Sequence, residues 1–148
     1  MPTFTLTTTI NAAPTTVWDI ITDIENSPKV TPEITRIEML TPPPFRVGTR
    51  WRETRRMNNR EGSVVLEVTE FAPGRSCSVR STLMGTEFNS QFTITRERDA
   101  TRLDLHTATR PISFGGRLFS LLTPVFIPAM KKTMQRDLEA IKRAAESR

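Results

Sequence analysis

GGRLFSLLTPVFIPAMKKTMQRDLEAIKRAAE, residues 115–146, places Leu118, Leu121, Leu122, Val125, Ala129, Met130, Thr133, Met134, Leu138, Ile141 and Ala145 three or four positions apart. That spacing predicts one apolar helical face, which needs a sheet to cover. Thr123-Pro124 reads as a helix start, with the threonine as cap and the proline in the first helical position. Pro128 would remove a hydrogen bond and bend the helix near its beginning. A short piece over 115–122 and a longer one over 124–146 are therefore expected, continuous or separated by a kink. Lys131, Lys132, Gln135, Arg136, Glu139, Lys142, Arg143 and Glu146 make the opposite face, with Glu139/Arg143 and Lys142/Glu146 at ion-pair spacing.

The sheet is found by working back toward the N-terminus. Residues 3–10 alternate Phe4, Leu6, Thr8 and Ile10 against four threonines, a half-buried strand. Pro14 then opens a helix with Val17, Trp18, Ile20 and Ile21 on one face, and a second short helical turn over 23–27 is limited by Pro28 and Pro32. Strands are predicted over 34–40, 49–57, 63–71, 76–83, 87–96 and 101–109. Their punctuation is the triple proline 42–44, the Asn58–Gly62 turn, Pro73-Gly74, the 84–86 turn and the 97–100 turn. Short turns from residue 49 onward make this part an antiparallel meander with one dry face for the helix.

Composition narrows the function. The 148 residues suit a single domain over 1–148, and 36% apolar with 25% charged residues is globular usage. The net charge of +5 is spread over the chain, with no run of five like charges and no aromatic residues interleaved with basic ones, which argues against nucleic-acid binding. One cysteine and one histidine exclude an internal disulfide and any all-cysteine or multi-histidine metal site. The N-terminus does not read as a signal peptide, and the apolar run 112–130 is broken by Arg117, Pro124 and Pro128, so a cytoplasmic location is expected. No phosphate loop, serine elbow or zinc-binding pair is present, and no cofactor or metal is expected.

The order of elements, one strand, two short helices, six antiparallel strands and a long helix, resembles the helix-grip fold. The residues that carry the likeness are Ala13-Pro14-Thr15-Thr16-Val17-Trp18-Asp19-Ile20-Ile21-Thr22-Asp23, Val47-Gly48-Thr49-Arg50-Trp51, Val68-Thr69-Glu70-Phe71-Ala72-Pro73-Gly74-Arg75 and Asp137-Leu138-Glu139-Ala140-Ile141-Lys142. They make the chain similar to the polyketide cyclase/dehydrase-like branch of the START-like (SRPBCC) superfamily, related to Bet v 1 proteins. The resemblance implies an α+β fold in which a seven-stranded antiparallel sheet wraps around the C-terminal helix. It further implies a cavity for an apolar or aromatic small molecule, used by some members for cyclisation or dehydration and by others for carriage.

Strand alternation selects the residues that could reach such a cavity. Thr49, Trp51, Glu53, Arg55 and Met57 form the more apolar set of their strand, which would put Glu53 and Arg55 beside Trp51 on the wall. There Arg55 would bind a carboxylate or enolate and Glu53 would serve as a general base. If the strand instead twists outward near a sheet edge, both are exposed and Trp51 is packing. Phe88, Ser90 and Phe92 from the sheet, with Leu118, Leu122, Phe126 and Met130 from the helical segment, complete the expected ligand-binding set. His106 falls on the wet face, Cys77 reads as a small buried hydrophobe, and Trp18 as packing against the sheet. Three functions stay open: a cyclase or dehydratase, a ligand carrier, and a helper that meets a membrane surface or a partner through Lys131, Lys132, Arg136 and Arg143, with membrane contact the less favoured. The chain is expected as a monomer or homodimer.

Overall fold

The computed structural model describes residues 3–57 and 59–148, apart from the side chains of Met57, Phe119 and Thr123. Strand β1 (Thr3–Ile10) leads into helix α1 (Pro14–Thr22), a short 3-10 turn (Ile24–Asn26) and helix α2 (Ser27–Val30). Six strands follow: β2 (Ile34–Met39), β3 (Arg50–Met57), β4 (Arg60–Ala72), β5 (Ser76–Leu83), β6 (Thr86–Glu97) and β7 (Ala100–Pro111). Helix α3 (Phe114–Phe119), a 3-10 turn (Ser120–Leu122) and helix α4 (Thr123–Glu146) close the chain.

All seven strands form one antiparallel sheet in the order β1-β7-β6-β5-β4-β3-β2. The two strands flanking α1 and α2 are thus its opposite edges, and the meander between them wraps around α4. Register shifts in β2 between Ile34 and Arg36 and in β4 between Val68 and Glu70 supply local bending. In β1 the threonine side is the exposed one, because the alternate residues Phe4 and Ile10 are buried.

The strands extend past the spans read from alternation. β4 starts at Arg60, so the β3–β4 turn is tighter than the five-residue 58–62 stretch expected, and Asn58 itself lies outside the described residues. β5 and β6 are joined by Met84 and Gly85 alone, with φ of 52° and 72°. Two successive left-handed residues match the twist of a two-residue hairpin. Thr123 is not the cap of α4. The helix starts one residue earlier, with Leu122 in the cap position, and runs through Pro128, whose nitrogen has no hydrogen to offer the preceding turn. Lys142 Nζ and Glu146 Oε2 pair at 3.1 Å as spaced, whereas Glu139 accepts from Gln135 Nε2 at 3.4 Å.

The core is divided. One cluster joins Ile10, Val17, Ile20, Ile94, Leu103, Leu105, Leu138, Ile141 and Ala145, uniting β1, α1, β6, β7 and the second half of α4. The other gathers around Trp51, Val68 and Val79 on β3–β5, with Phe45 and Phe71 packed against it. Trp18 stacks on Phe71 with ring centres 5.8 Å apart. Between the two clusters the first half of α4 and the sheet face each other across open space, touching at Phe126 on Phe88 and Met134 on Thr107.

Candidate functional site

That separation leaves a cavity of about 330 Å³. The sheet contributes Trp51, Leu66, Val79, Phe88, Phe92 and Leu105, α4 contributes Phe126, Met130, Met134 and Ile141, and the α1–α2 region adds Ile20, Ile24 and Val30. The Phe88 and Phe126 rings approach to 5.9 Å between centres across it. Such a volume sits at the small end of ligand pockets, and a wall of aliphatic and aromatic side chains favours an apolar occupant.

Hydroxyl groups such as Ser27, Ser81, Ser90 and Thr133 are scattered over the lining, but its charged groups meet at one corner, Glu53 and Arg55 of β3 with Asp137 of α4. Period-two alternation carries Trp51, Glu53 and Arg55 to the same face, and helix spacing puts Asp137 one turn beyond Thr133 and one before Ile141, on the inward side. Arg55 Nη1 and Nη2 donate to Asp137 Oδ1 and Oδ2 at 3.1 and 2.8 Å, a bidentate fork, while its Nε donates to Glu53 Oε2 at 2.8 Å. Glu33 Oε1 lies 4.0 Å from Arg55 Nη1, and Arg136 Nη2 donates to Glu33 Oε2 at 3.2 Å. Side-chain exposures of 12% for Glu53, 23% for Arg55 and 21% for Asp137 make this a half-dry ion cluster.

The electrostatics follow from that count of charges. Burial works against the Arg55 charge, but the hydrogen bonds and field of Asp137, and then of Glu53, outweigh it and raise its pKa. Asp137 is also raised: burial is the largest cause, the Arg55 fork opposes it, and Glu53 and Glu33 push the same way as burial. The two directions pull apart for one fork, since a strong pair should lower the carboxyl. Three carboxylates sharing one guanidinium with little water account for both. Cys77 is held up to about 11 by burial alone, an inert thiol on the cavity wall.

Of the residues singled out from sequence, Trp51, Glu53, Arg55, Phe88, Ser90, Phe92, Phe126 and Met130 line the cavity. The Ser90 hydroxyl is within 3.1 Å of Thr107 Oγ1, so its hydrogen-bonding capacity is partly used inside the wall. Trp51 is buried, and its indole N–H has no acceptor in the described structure. Leu118 and Leu122 are corrections: more than half exposed, neither contributes to the lining. The reason is glycine packing. A Cβ on Gly116 would stand 1.9 Å from the Gly85 carbonyl oxygen, so α3 presses its Gly116 side onto the β5–β6 turn. Phe114 and Leu118, two residues either side, then lie about 200° away around the helix and face outward. His106 is exposed, with Nδ1 2.7 Å from Thr5 Oγ1.

Asp137, Glu33 and the α1–α2 wall were not singled out. An acid at an inward helical position was the available signal for Asp137. Glu33 had none, because its approach to Arg55 and Arg136 depends on how the β2 edge meets α4.

The sequence family described as polyketide cyclase / dehydrase and lipid transport matches residues 1–146. No curated protein matches the chain. Among solved structures, Ara h 8.0201 superposes with a TM-score of 0.80 at 14% identity, over 99% of each chain. The Zhui aromatase/cyclase from Streptomyces sp. R1128 gives 0.74 at 16% identity, over 98% of this chain and 93% of that one. A START superfamily protein from Mycobacterium smegmatis gives 0.67 at 18%, over 98% and 94%. At such identities the likeness is one of fold.

Proposed function

The chain belongs to the polyketide cyclase / dehydrase and lipid transport family, and on that premise we propose that it binds a hydrophobic or aromatic small molecule between the sheet and α4. The observation that carries this reading is a largely apolar cavity whose charged lining residues meet at one corner. Apolar walls supply most of the affinity, and the corner orients the ligand.

The corner also narrows the ligand. Arg55 has already given three of its five N–H groups to Asp137 and Glu53, leaving two for a ligand. Three carboxylates face Arg55 and the half-exposed Arg136, so a carboxylate ligand would meet net repulsion. A neutral ligand whose polar end is a ketone or hydroxyl suits it better. The anion-binding role expected of Arg55 is therefore the weaker half of the sequence-based mechanism.

A second reading, cofactor-free acid/base chemistry of the cyclase or dehydratase type, is favoured by two carboxyl groups, Asp137 and Glu53, standing on either side of Arg55 on the cavity wall. In that version Asp137 delivers a proton to a ligand carbonyl held by a remaining Arg55 N–H, and Glu53 accepts one from the adjacent carbon. Native mass spectrometry of protein from its own host, with organic extraction of any bound compound, tests binding. Met130→Trp fills the cavity, and loss of the co-purifying compound in this variant, with the melting temperature kept, is the expected outcome. Retention of the compound would place its site elsewhere. Glu53→Gln separates the readings: binding kept with turnover of the extracted compound lost supports chemistry.

A further inference from the structure

The outward turn of α3 leaves the cavity's end of the molecule with an apolar surface. Met84 of the β5–β6 turn, Phe114 and Leu118 of α3, Leu121 and Leu122 after it, and Val125 of α4 are all more than half exposed. Phe114, Leu121 and Val125 are each about three quarters exposed, at 76%, 75% and 77%, and so project beyond their neighbours. They are held as one face. Ile112 N donates to the Gly85 carbonyl at 2.9 Å, Ser113 Oγ accepts from Gly116 N at 3.2 Å, and the Gly85–Gly116 contact locks α3 to the hairpin tip. Large apolar side chains exposed together along α3, the turn after it and the start of α4 are costly in water and mark an interaction surface.

Charge identifies the occupant. Between Asp104 and Asp137 there is no Asp or Glu, and although Arg110 is paired with Glu87 and Arg136 with Glu33, Arg117, Lys131 and Lys132 of the same interval have no acidic partner among the described residues. On α4, Val125, Ala129 and Lys132 are spaced four and three residues apart and are all exposed, one outward stripe that is apolar at its tip and cationic behind, with Arg136 next along it held by Glu33. Seven residues of helix separate Val125 from Lys132, about 10 Å of rise. An interfacial element buries its apolar side chains about 5–10 Å into the headgroup and acyl boundary while cations stay at the phosphates. Projecting single side chains suit a deformable lipid surface better than the close-packed core of a protein interface. No helix among the described residues is long and apolar enough to cross a membrane, so contact is with the surface only.

We propose that the face made by the 84–85 turn, α3 and the start of α4 docks the protein on anionic phospholipid bilayers. It stands independently of what the cavity holds. The test is co-sedimentation of the full chain with phosphatidylcholine vesicles, with and without about 30 mol% phosphatidylserine, at about 0.15 M salt. Wild type should pellet with the anionic vesicles and bind neutral ones at least tenfold more weakly. Leu121→Glu with Val125→Glu should abolish binding, and Arg117→Glu with Lys132→Glu should weaken it about tenfold or more, both with the wild-type melting temperature because these side chains are exposed. Failure of wild type to bind anionic vesicles would overturn the proposal, as would undiminished binding by the Leu121/Val125 variant. A concentration-dependent dimer that the same two glutamates dissociate would assign the face to a second copy instead.

Discussion

Arg55 is the residue on which the charged corner turns, because among the described residues it is the one that pairs β3 with α4, donating to Asp137 while also bonding its strand neighbour Glu53. Arg55→Gln would leave three carboxylates facing each other with one half-exposed arginine, and breaking a buried pair from one side costs about 3–5 kcal/mol. The loss should depend on pH. Without Arg55 the already raised Asp137 carboxyl loses the partner that opposes its rise, so stability is fullest below the ordinary carboxylate range and falls as pH increases through the raised Asp137 value. Urea unfolding at pH 7 and pH 5 should therefore find the larger deficit at pH 7, and equal deficits would mean that the carboxylates do not share one cluster. In the wild type, the raised Asp137 has the same sign and works against folding as pH rises through its folded value. Glu53 and Arg55 were legible from alternation, but the third partner was not, because ion pairs between distant segments leave no periodic trace.

Among the elements, α3 shows how two glycines outrank two large apolar residues. Sequence pattern assigns Leu118 and Leu122 to the interior because they fit the apolar stripe of the following helix. The close backbone approach at Gly85 and Gly116 overrides that pattern, because no side chain at 116 could be accommodated. Gly116→Ala should lift α3 off the hairpin at a cost of about 1–3 kcal/mol, seen as faster hydrogen exchange over residues 112–119 with the sheet unaffected. Gly115→Ala is the control. Its added methyl would meet nothing nearer than Ser113 Oγ at 3.7 Å, and alanine is the better helix former by about 1 kcal/mol. Equal damage from both substitutions would refute the contact's role. Strand spans, by contrast, were readable to within a few residues, since alternation and turn residues act locally.

At the scale of the molecule, a divided core predicts uneven sensitivity to truncation. Leu138 is fully buried where α4 meets α1 and the β6–β7 strands, so Leu138→Ala should cost about 3–4 kcal/mol. Met130 borders the cavity and is only partly buried, so Met130→Ala should fall at the low end, about 2 kcal/mol. Chemical denaturation of the two variants measures the contrast, and equal losses would argue that the first half of α4 is packed as tightly as the second. The amino-acid sequence by itself determined the order of elements, the meander, the long one-faced helix and the family, because periodicity, proline and glycine act over a few residues. Only the tertiary structure decided where α4 leaves the sheet, that Asp137 and Glu33 join Arg55, and that α3 turns its apolar side to the outside. Those outcomes rest on contacts between segments far apart in the chain, 82 residues in the Arg55–Asp137 fork and 103 in the Arg136–Glu33 pair, whose geometry is set by how all the elements pack at once.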